Sequence, residues 1–180
     1  MESVGGVDKA NRIGILPSEV ILQYSGLEVL KRMVNGELPH PAMSEIIPFR
    51  LTEAASGQVV FESTPDERFY NTAGNVHGGY AMTLLDTCMC IAAYSTLGPA
   101  IRYATIETKV NFTRPITAAT GILKAIGTAV HTGKKTGTAE GRLVDSAGAL
   151  YAHGTTTIIL IPIGSGPENS RSLETPELNS

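Results

Sequence analysis

The chain has 180 residues, of which 42% are hydrophobic and 17% are charged, a composition typical of one globular domain that can bury its own core. Its formal net charge of -3 provides no basic surface for nucleic acid or an anionic membrane. The sequence contains neither a secretory signal nor an apolar run of about 18 residues that could span a membrane. We therefore expect a cytoplasmic protein with no nucleic-acid or membrane partner.

The two ends of the chain differ in composition from its middle. Residues 1–16 are polar and contain glycine, and residues 164–180 are rich in Ser, Pro, Glu and Asn. Such segments bury too little apolar surface to offset the entropy lost on ordering. We expect flexible ends at 1–16 and 164–180, and a single domain over 17–163.

The first predicted elements are a short helix and a pair of strands. Ser25 is a suitable N-cap residue, and Gly36 is a suitable stop signal. Between them, apolar side chains recur at helical spacing: Leu27, Leu30, Met33 and Val34. Segments 44–52 and 57–64 then predict a hairpin or a split strand, and a polar loop leads to His77.

A long apolar segment from about Gly78 to Leu97 predicts a helix buried in the core, because it is apolar on nearly every side. Four strand-like segments follow, and the turns TGKK and DSAG join the last three. In the first of the four, Ile106, Val110 and Phe112 are predicted to share one face. The sequence thus predicts an α+β fold, in which a curved antiparallel sheet containing a meander wraps one long central helix, with an additional N-terminal helix.

The start of the long helix carries the residues of chemical interest. Its first N–H groups are unpaired and carry partial positive charge, and Gly78 and Gly79 would allow a substrate carbonyl to approach them directly. Asp86 lies further along among apolar residues, where a carboxylate is costly to bury. It is either a structural acceptor of hydrogen bonds, from Thr83, Thr87 or a neighbouring strand, or a base or nucleophile.

The other polar residues of this region have structural explanations of their own. His77 is suited to capping the helix, and Asn71 is a typical turn residue. Cys88 and Cys90 are spaced for neither a redox pair nor a zinc site and are predicted to be small buried hydrophobes. The remaining histidines follow no ligand pattern, so we expect no metal site: His40, His131 and His153.

The run NTAGNVHGG at 71–79, with Asp86 downstream, resembles the signature of the hotdog-fold acyl-CoA thioesterases. The similarity is to the branch that contains phenylacetate-degradation and 4-hydroxybenzoyl-CoA thioesterases, and VNFTRP at 110–115 resembles that branch too. The resemblance covers roughly residues 45–162 and implies a hydrolase of acyl-CoA that needs no cofactor, since coenzyme A is part of the substrate. Flexible Met side chains and few aromatic residues favour a medium-chain or aryl acyl group.

The resemblance also implies a role for each site residue. Asp86 would be the general base or nucleophile, and the Gly78 N–H would polarise the thioester carbonyl. Asn71 and His77 would order the loop and the attacking water, and Thr105 would hold that water. Glycine, cationic and turn residues are candidates for binding substrate or coenzyme A: Gly79, Arg114, His131, Gly133, Lys134 and Lys135.

The resemblance further implies a homodimer with the active site at its interface, and a dimer of such dimers. Asp86 of one subunit would then serve a carbonyl bound at Gly78 of the other. The alternatives are an acyl-thioester hydratase or dehydratase of the same fold, and a non-catalytic acyl-CoA-binding module. The pairing of HGG with a downstream aspartate on one helix favours hydrolysis.

Overall fold

The computed structural model describes residues 13–164. The helices and strands, in chain order, are α1 (Ser18–Gln23), α2 (Gly26–Val34), β1 (Phe49–Ala55), β2 (Gln58–Ser63), α3 (Gly78–Tyr94), β3 (Ile101–Phe112), β4 (Leu123–Thr132), β5 (Thr136–Asp145) and β6 (Leu150–Pro162). Of the predicted flexible ends, only residues 13–16 and 164 fall within this range, and the rest lie outside the described residues. Within residues 13–164, no helix is long and apolar enough to cross a membrane.

The six strands form one antiparallel sheet in the order β1-β2-β4-β5-β6-β3. The predicted α+β fold, with a long helix packed in a curved antiparallel sheet, is confirmed. β4, β5 and β6 form the predicted meander, and β3 lies at the far edge beside β6. β4 instead pairs with β2, so the chain crosses from one side of the sheet to the other between β3 and β4.

The N-terminal segment contains two helices where the sequence predicted one. α1 has only six residues and none of them is buried, so it has no apolar periodicity to detect. α2 begins as predicted, because Ser25 and Glu28 form a reciprocal capping box. Its buried face includes Val29 but not the predicted Val34, which is exposed.

α3 begins at Gly78 as predicted but ends at Tyr94, three residues before the predicted end. The hydroxyls of Ser95 and Thr96 donate to the carbonyl oxygens of Ala92 and Ala93, each at 2.7 Å. Such side-chain bonds compete with continued helical pairing. The helix is buried in the core along most of its length, as its apolar sequence predicts.

α3 lies directly on two glycines of the sheet. Gly127 of β4 and Gly141 of β5 are register partners. A Cβ atom on Gly127 would lie 2.1 Å from the carbonyl oxygen of Cys88, and one on Gly141 would lie 2.7 Å from Cγ of Met89. Only residues without a side chain fit at this contact, which fixes the distance between helix and sheet.

A β-bulge interrupts β3 at Ile106, where the register against β6 shifts between Thr105 and Glu107. The extra residue breaks the strict alternation of the strand. The predicted shared face of Ile106, Val110 and Phe112 depends on that alternation, and both Ile106 and Phe112 are more than half exposed, at 57% and 54%. Thr105 and Thr108, three positions apart, both contact Asp86 of α3 as a result.

The glycine contact yields a stability prediction. Gly127→Ala should destabilise the fold by about 2 kcal/mol or more, because the new methyl group overlaps the helix backbone and cannot be accommodated by rotation of a side chain. Chemical denaturation of both proteins measures the difference. Gly98→Ala is the control, since nothing lies within 4 Å of its added Cβ, and equal stabilities of Gly127→Ala and Gly98→Ala would contradict the contact.

Candidate active site

His77 caps the N-terminus of α3. Its Nδ1 accepts a hydrogen bond from the Gly79 N–H at 2.9 Å, and its own backbone N–H donates to the carbonyl of Phe69 at 2.7 Å. Because Nδ1 is the acceptor, the neutral imidazole carries its proton on Nε2. The capping role anticipated for His77 is thus the one observed.

The Gly78 N–H is the group that remains available at this helix end. Among residues 13–164 it has no hydrogen-bond partner, whereas the Gly79 N–H is occupied by His77. The sequence predicted both N–H groups to be approachable by a carbonyl, and His77 removes one of them. The unpaired N–H at Gly78 carries the partial positive charge of the helix terminus.

Asn71 organises the loop before the helix. Its Oδ1 accepts from the N–H groups of Ala73 at 2.9 Å and Asn75 at 3.2 Å, and its N–H donates to the Asn75 carbonyl at 2.7 Å. These bonds close the loop on itself in the manner of an Asx turn. The loop-ordering role that the resemblance implies for Asn71 matches this geometry.

A cavity of about 400 Å³ lies at the same end of α3. Asn71, Gly78, Phe112 and Arg114 are among its lining residues. The Phe112 ring covers Gly78 closely, since a Cβ there would lie 3.1 Å from Cζ of the ring. Arg114 is exposed, with its guanidinium 5.6 Å from the centre of the Tyr151 ring.

The carboxylate of Asp86 is half-buried and hydrogen-bonded through a single oxygen. Its Oδ1 accepts from Thr108 Oγ1 at 2.8 Å and from Thr105 Oγ1 at 3.3 Å. The Cys90 thiol lies 3.7 Å from the same oxygen. Within residues 13–164, no group donates to Oδ2, so this oxygen is free to take a proton.

Sequence reasoning predicted Thr105 beside Asp86 but missed Thr108 and Cys90. Thr108 falls out of phase with Thr105 in a regular strand, and only the bulge brings both hydroxyls to the carboxylate. Cys90 lies one helical turn after Asp86 on α3, a spacing that places two side chains on one face. That spacing was a usable signal for Cys90, whereas no local signal marks the bulge.

The two cysteines are buried, as predicted. Burial raises the pKa of Cys90 to about 11, with nearby Asp86 contributing in the same direction. Burial raises the pKa of Cys88 further. Both thiols are neutral near pH 7, and within residues 13–164 no group of three or more His, Cys, Asp or Glu could hold a metal ion.

The two halves of the site do not meet within one chain. Gly78 and Asp86 lie on the same rigid helix and are separated by about 12 Å along its axis, since each residue advances about 1.5 Å. Neither group can reach a carbonyl bound at the other. A single chain thus presents two separate half-sites, one at the helix end and one at the carboxylate.

The predicted coenzyme A residues of the β4–β5 turn lie at the opposite end of the sheet from Gly78. The hydroxyl oxygen of Thr132, at the end of β4, lies 2.9 Å from that of Thr96, just beyond the C-terminus of α3. The turn residues are all exposed: His131, Gly133, Lys134 and Lys135. Within one chain they are not brought together with Asn71, His77, Gly78 and Arg114.

Comparison with known proteins identifies the fold and the enzyme class. The sequence model of the thioesterase superfamily matches residues 73–152, which include α3, Asp86 and the β4–β5 turn. No curated protein sequence matches the chain.

Solved structures share the architecture. A phenylacetic acid degradation-related protein of Ralstonia eutropha JMP134 is similar at 25% identity and a TM-score of 0.66, over 73% of this chain and 98% of that one. The Escherichia coli PaaI protein from the phenylacetic acid degradation operon is similar at 21% identity and a TM-score of 0.65, over 77% and 96%. The protein smu.793 of Streptococcus mutans UA159, bound to acetyl CoA, is similar at 22% identity and a TM-score of 0.58, over 64% and 90%.

The sheet wrapped around α3 is thus the hotdog fold. The similar structures confirm the fold. The superfamily match over residues 73–152 confirms the resemblance to the hotdog-fold thioesterases and supports the predicted enzyme class, a thioester hydrolase.

The state of the two thiols can be tested directly. Because burial keeps Cys88 and Cys90 protonated and enclosed, the folded protein should react with a thiol reagent such as DTNB at pH 8 at least about a hundredfold more slowly than the unfolded protein. Release of the coloured product with and without guanidinium chloride measures both rates. Rapid labelling of the folded protein would contradict the burial of the cysteines.

Proposed function

We propose that the protein hydrolyses acyl-CoA thioesters to a free acid and coenzyme A. One observation carries the proposal. A buried helix offers an unpaired N–H at its first residue, Gly78, and a carboxylate with one free oxygen, Asp86, further along. These are the two groups that acyl transfer to water requires, an oxyanion donor and a base.

The Gly78 N–H polarises the thioester carbonyl and stabilises the oxyanion. Negative charge develops on the carbonyl oxygen as water adds to the carbon, and the partial positive charge of the helix terminus opposes it. His77 accepts the hydrogen bond of the Gly79 N–H, so this N–H is not available to the substrate and the first turn of α3 is held in place. Asn71 supports the site by holding the preceding loop closed.

Asp86 acts as a general base. It accepts a proton from a water molecule while the water oxygen attacks the thioester carbon, and the tetrahedral intermediate then expels the coenzyme A sulfur, which takes up the proton. Thr105 is suited to hold the water because its hydroxyl lies beside the carboxylate. The short side chain of aspartate leaves room for that water, which favours a base over a nucleophile.

A second copy of the chain completes the site. Because Gly78 and Asp86 of one chain lie too far apart on a rigid helix, they cannot act on the same carbonyl. A complete site therefore combines Gly78 of one chain with Asp86 of its partner. β3 is an edge strand with an exposed apolar residue at Ile106, and Phe112, which covers Gly78, is 54% exposed. Antiparallel pairing of two β3 strands would cover this edge and bring Gly78 of each chain towards Asp86 of the other.

Such a dimer would also place the β4–β5 turn of one chain near the Gly78 end of the other. Antiparallel pairing brings the end of one sheet near the opposite end of the other, so Lys134 and Lys135 of one chain approach the half-site of Gly78 and Arg114 in the other. Cations there suit the phosphates of coenzyme A. A protein of the same fold binds acetyl CoA, which supports this choice of substrate. A dimer of dimers and a cytoplasmic location stay predictions.

An apolar cavity of about 610 Å³ supports a medium-chain or aryl acyl group. It lies between the N-terminal helices and the later part of α3, and its lining includes Leu30, Ile91, Tyr94 and Tyr103. Ile91 follows Asp86 on α3 by about 7 Å of helix rise. A chain extending from a carbonyl at Asp86 along the helix would enter this cavity and bury apolar surface there.

Removal of the base should abolish turnover. Asp86→Asn keeps the size of the side chain but cannot take a proton, so thioester hydrolysis should fall by at least about a hundredfold. Release of free coenzyme A from a panel of short, medium-chain and aryl acyl-CoA esters measures activity and acyl preference together.

Glu140→Gln is the matched control, because it makes the same charge change at an exposed position of β5. Full activity of Asp86→Asn, with the fold intact, would assign the chemistry to another acid. Absence of turnover of every ester by the unaltered protein would favour the non-catalytic binding module.

The shared site can be tested by mixing two inactive variants. Gly78→Pro removes only the N–H at the first helical position, where proline is well tolerated, and His77 already has a backbone conformation compatible with a following proline (φ -60, ψ 138). If each site combines Gly78 of one chain with Asp86 of the other, mixed dimers of Gly78→Pro and Asp86→Asn contain one intact site. Equal mixing after dissociation should restore about a quarter of the original activity.

Gly78→Ala is the control for this experiment, since it adds a Cβ beside Phe112 but keeps the N–H. It should retain far more activity than Gly78→Pro. Dimers that exchange subunits and remain inactive would contradict a site built from two chains.

A further inference from the structure

We propose that Thr108 is a positioning residue, which binds Oδ1 of Asp86 and thereby leaves Oδ2 and the Thr105 hydroxyl for the reacting water. The effect of Thr108 on catalysis rests on the proposed function. The orientation of the Asp86 carboxylate by Thr108 is independent of it. The sequence signature of the site does not include Thr108, and the residue acts through Asp86 without touching the substrate.

The contacts around Asp86 are unequal. Thr108 Oγ1 lies 2.8 Å from Oδ1, the shortest of the three contacts to this oxygen, while Thr105 lies at 3.3 Å. The short contact has the usual length of a hydrogen bond donated by a hydroxyl, whereas the Thr105 contact is longer than that range. Because every donor in residues 13–164 that reaches Asp86 is directed at Oδ1, the carboxylate is held in one orientation and presents Oδ2.

Thr108 packs against a buried hydroxyl. Thr156 of β6 is 1% exposed, and its Oγ1 lies 3.0 Å from Thr108 Oγ1 and 2.8 Å from the Glu107 carbonyl oxygen. The Thr156 hydroxyl donates to that carbonyl, and the Thr108 hydroxyl donates to Asp86, so the single proton of each hydroxyl is already used. Thr156 therefore limits the space in which the Thr108 side chain can turn, without donating to it.

Thr105 is held less firmly than Thr108. Its hydroxyl lies 3.2 Å from the Cys90 sulfur as well as 3.3 Å from Asp86, so it has two long contacts in place of a short one. Thr105 is also exposed, whereas Thr108 is half-buried. Thr105 can therefore turn to a water molecule while Thr108 keeps the carboxylate in place.

The decisive variant is Thr108→Val, which replaces the hydroxyl by a methyl group at nearly constant volume. Two measurements on the full-length protein are needed. The first is the pH dependence of kcat and KM for the best acyl-CoA ester of the panel. The second is the side-chain carboxylate signal of Asp86 by NMR at one fixed pH, in protein with ¹³C-labelled aspartate, with the signal assigned by its loss in Asp86→Asn.

We expect the plateau of kcat to fall about tenfold in Thr108→Val, with KM within about twofold, because the carboxylate loses the bond that orients it. The carboxylate signal of Asp86 should also change its chemical shift, since Oδ1 loses its shortest hydrogen bond. Thr108→Ser restores the hydroxyl and should recover both values.

Thr157→Val is the matched control. It removes a hydroxyl of β6 that donates to Glu107 Oε1 at 2.9 Å and does not contact Asp86, so neither measurement should change. A Thr108→Val protein that folds and keeps both the kcat and the Asp86 carboxylate signal of the unaltered protein would overturn the proposal. So would a Thr108→Ser protein that resembles Thr108→Val.

The NMR measurement separates this proposal from the proposed function. If the Asp86 carboxylate signal changes in Thr108→Val but no ester is hydrolysed by the unaltered protein, the positioning role stands and the hydrolase proposal fails. If esters are hydrolysed and Asp86→Asn is inactive, but Thr108→Val is unchanged in both measurements, the hydrolase proposal stands and the positioning role fails.

Discussion

The contact between α3 and the two glycines of the sheet is the constraint on which the rest of the structure depends. Gly127 and Gly141 let the helix backbone rest on β4 and β5 without intervening side chains. The helix is consequently enclosed, and both its first N–H groups and its single carboxylate lie where water is partly excluded. Electrostatic interactions are stronger in such surroundings. The packing of the core therefore also strengthens the interactions of the Gly78 N–H and the Asp86 carboxylate with a bound substrate.

The polar groups near the helix divide into those that the fold uses and those that it leaves free. The His77 imidazole, the Gly79 N–H and the Asn71 amide oxygen are consumed by local hydrogen bonds. The Gly78 N–H and Oδ2 of Asp86 are left over, among the described residues. A folded chain normally satisfies its buried polar groups. The unpaired Gly78 N–H and Asp86 Oδ2 are therefore more informative about function than His77, whose role is explained by the helix cap.

Much of the fold follows from the sequence, because helix and strand periodicities are local. The apolar segment from Gly78 predicted α3 correctly, and TGKK and DSAG predicted the hairpin turns. The position of β3 beside β6 was not predictable from local pattern, since strand order depends on pairing between distant segments. Asp86 and Gly78 were found by their chemistry and by family resemblance, whereas Thr108 depends on a bulge that no local residue type marks.

That bulge has a further consequence for how the protein behaves in a crowded solution. β1 and β3 are the two edges of the sheet, and each has a register shift, at Thr52 and at Ile106. An irregular edge is a poor template for adding strands without limit. The irregularity that turns Thr108 towards Asp86 therefore also protects a sheet with two open edges against growth into fibres or amorphous aggregates, while a partner whose strand carries a matching irregularity can still pair with it.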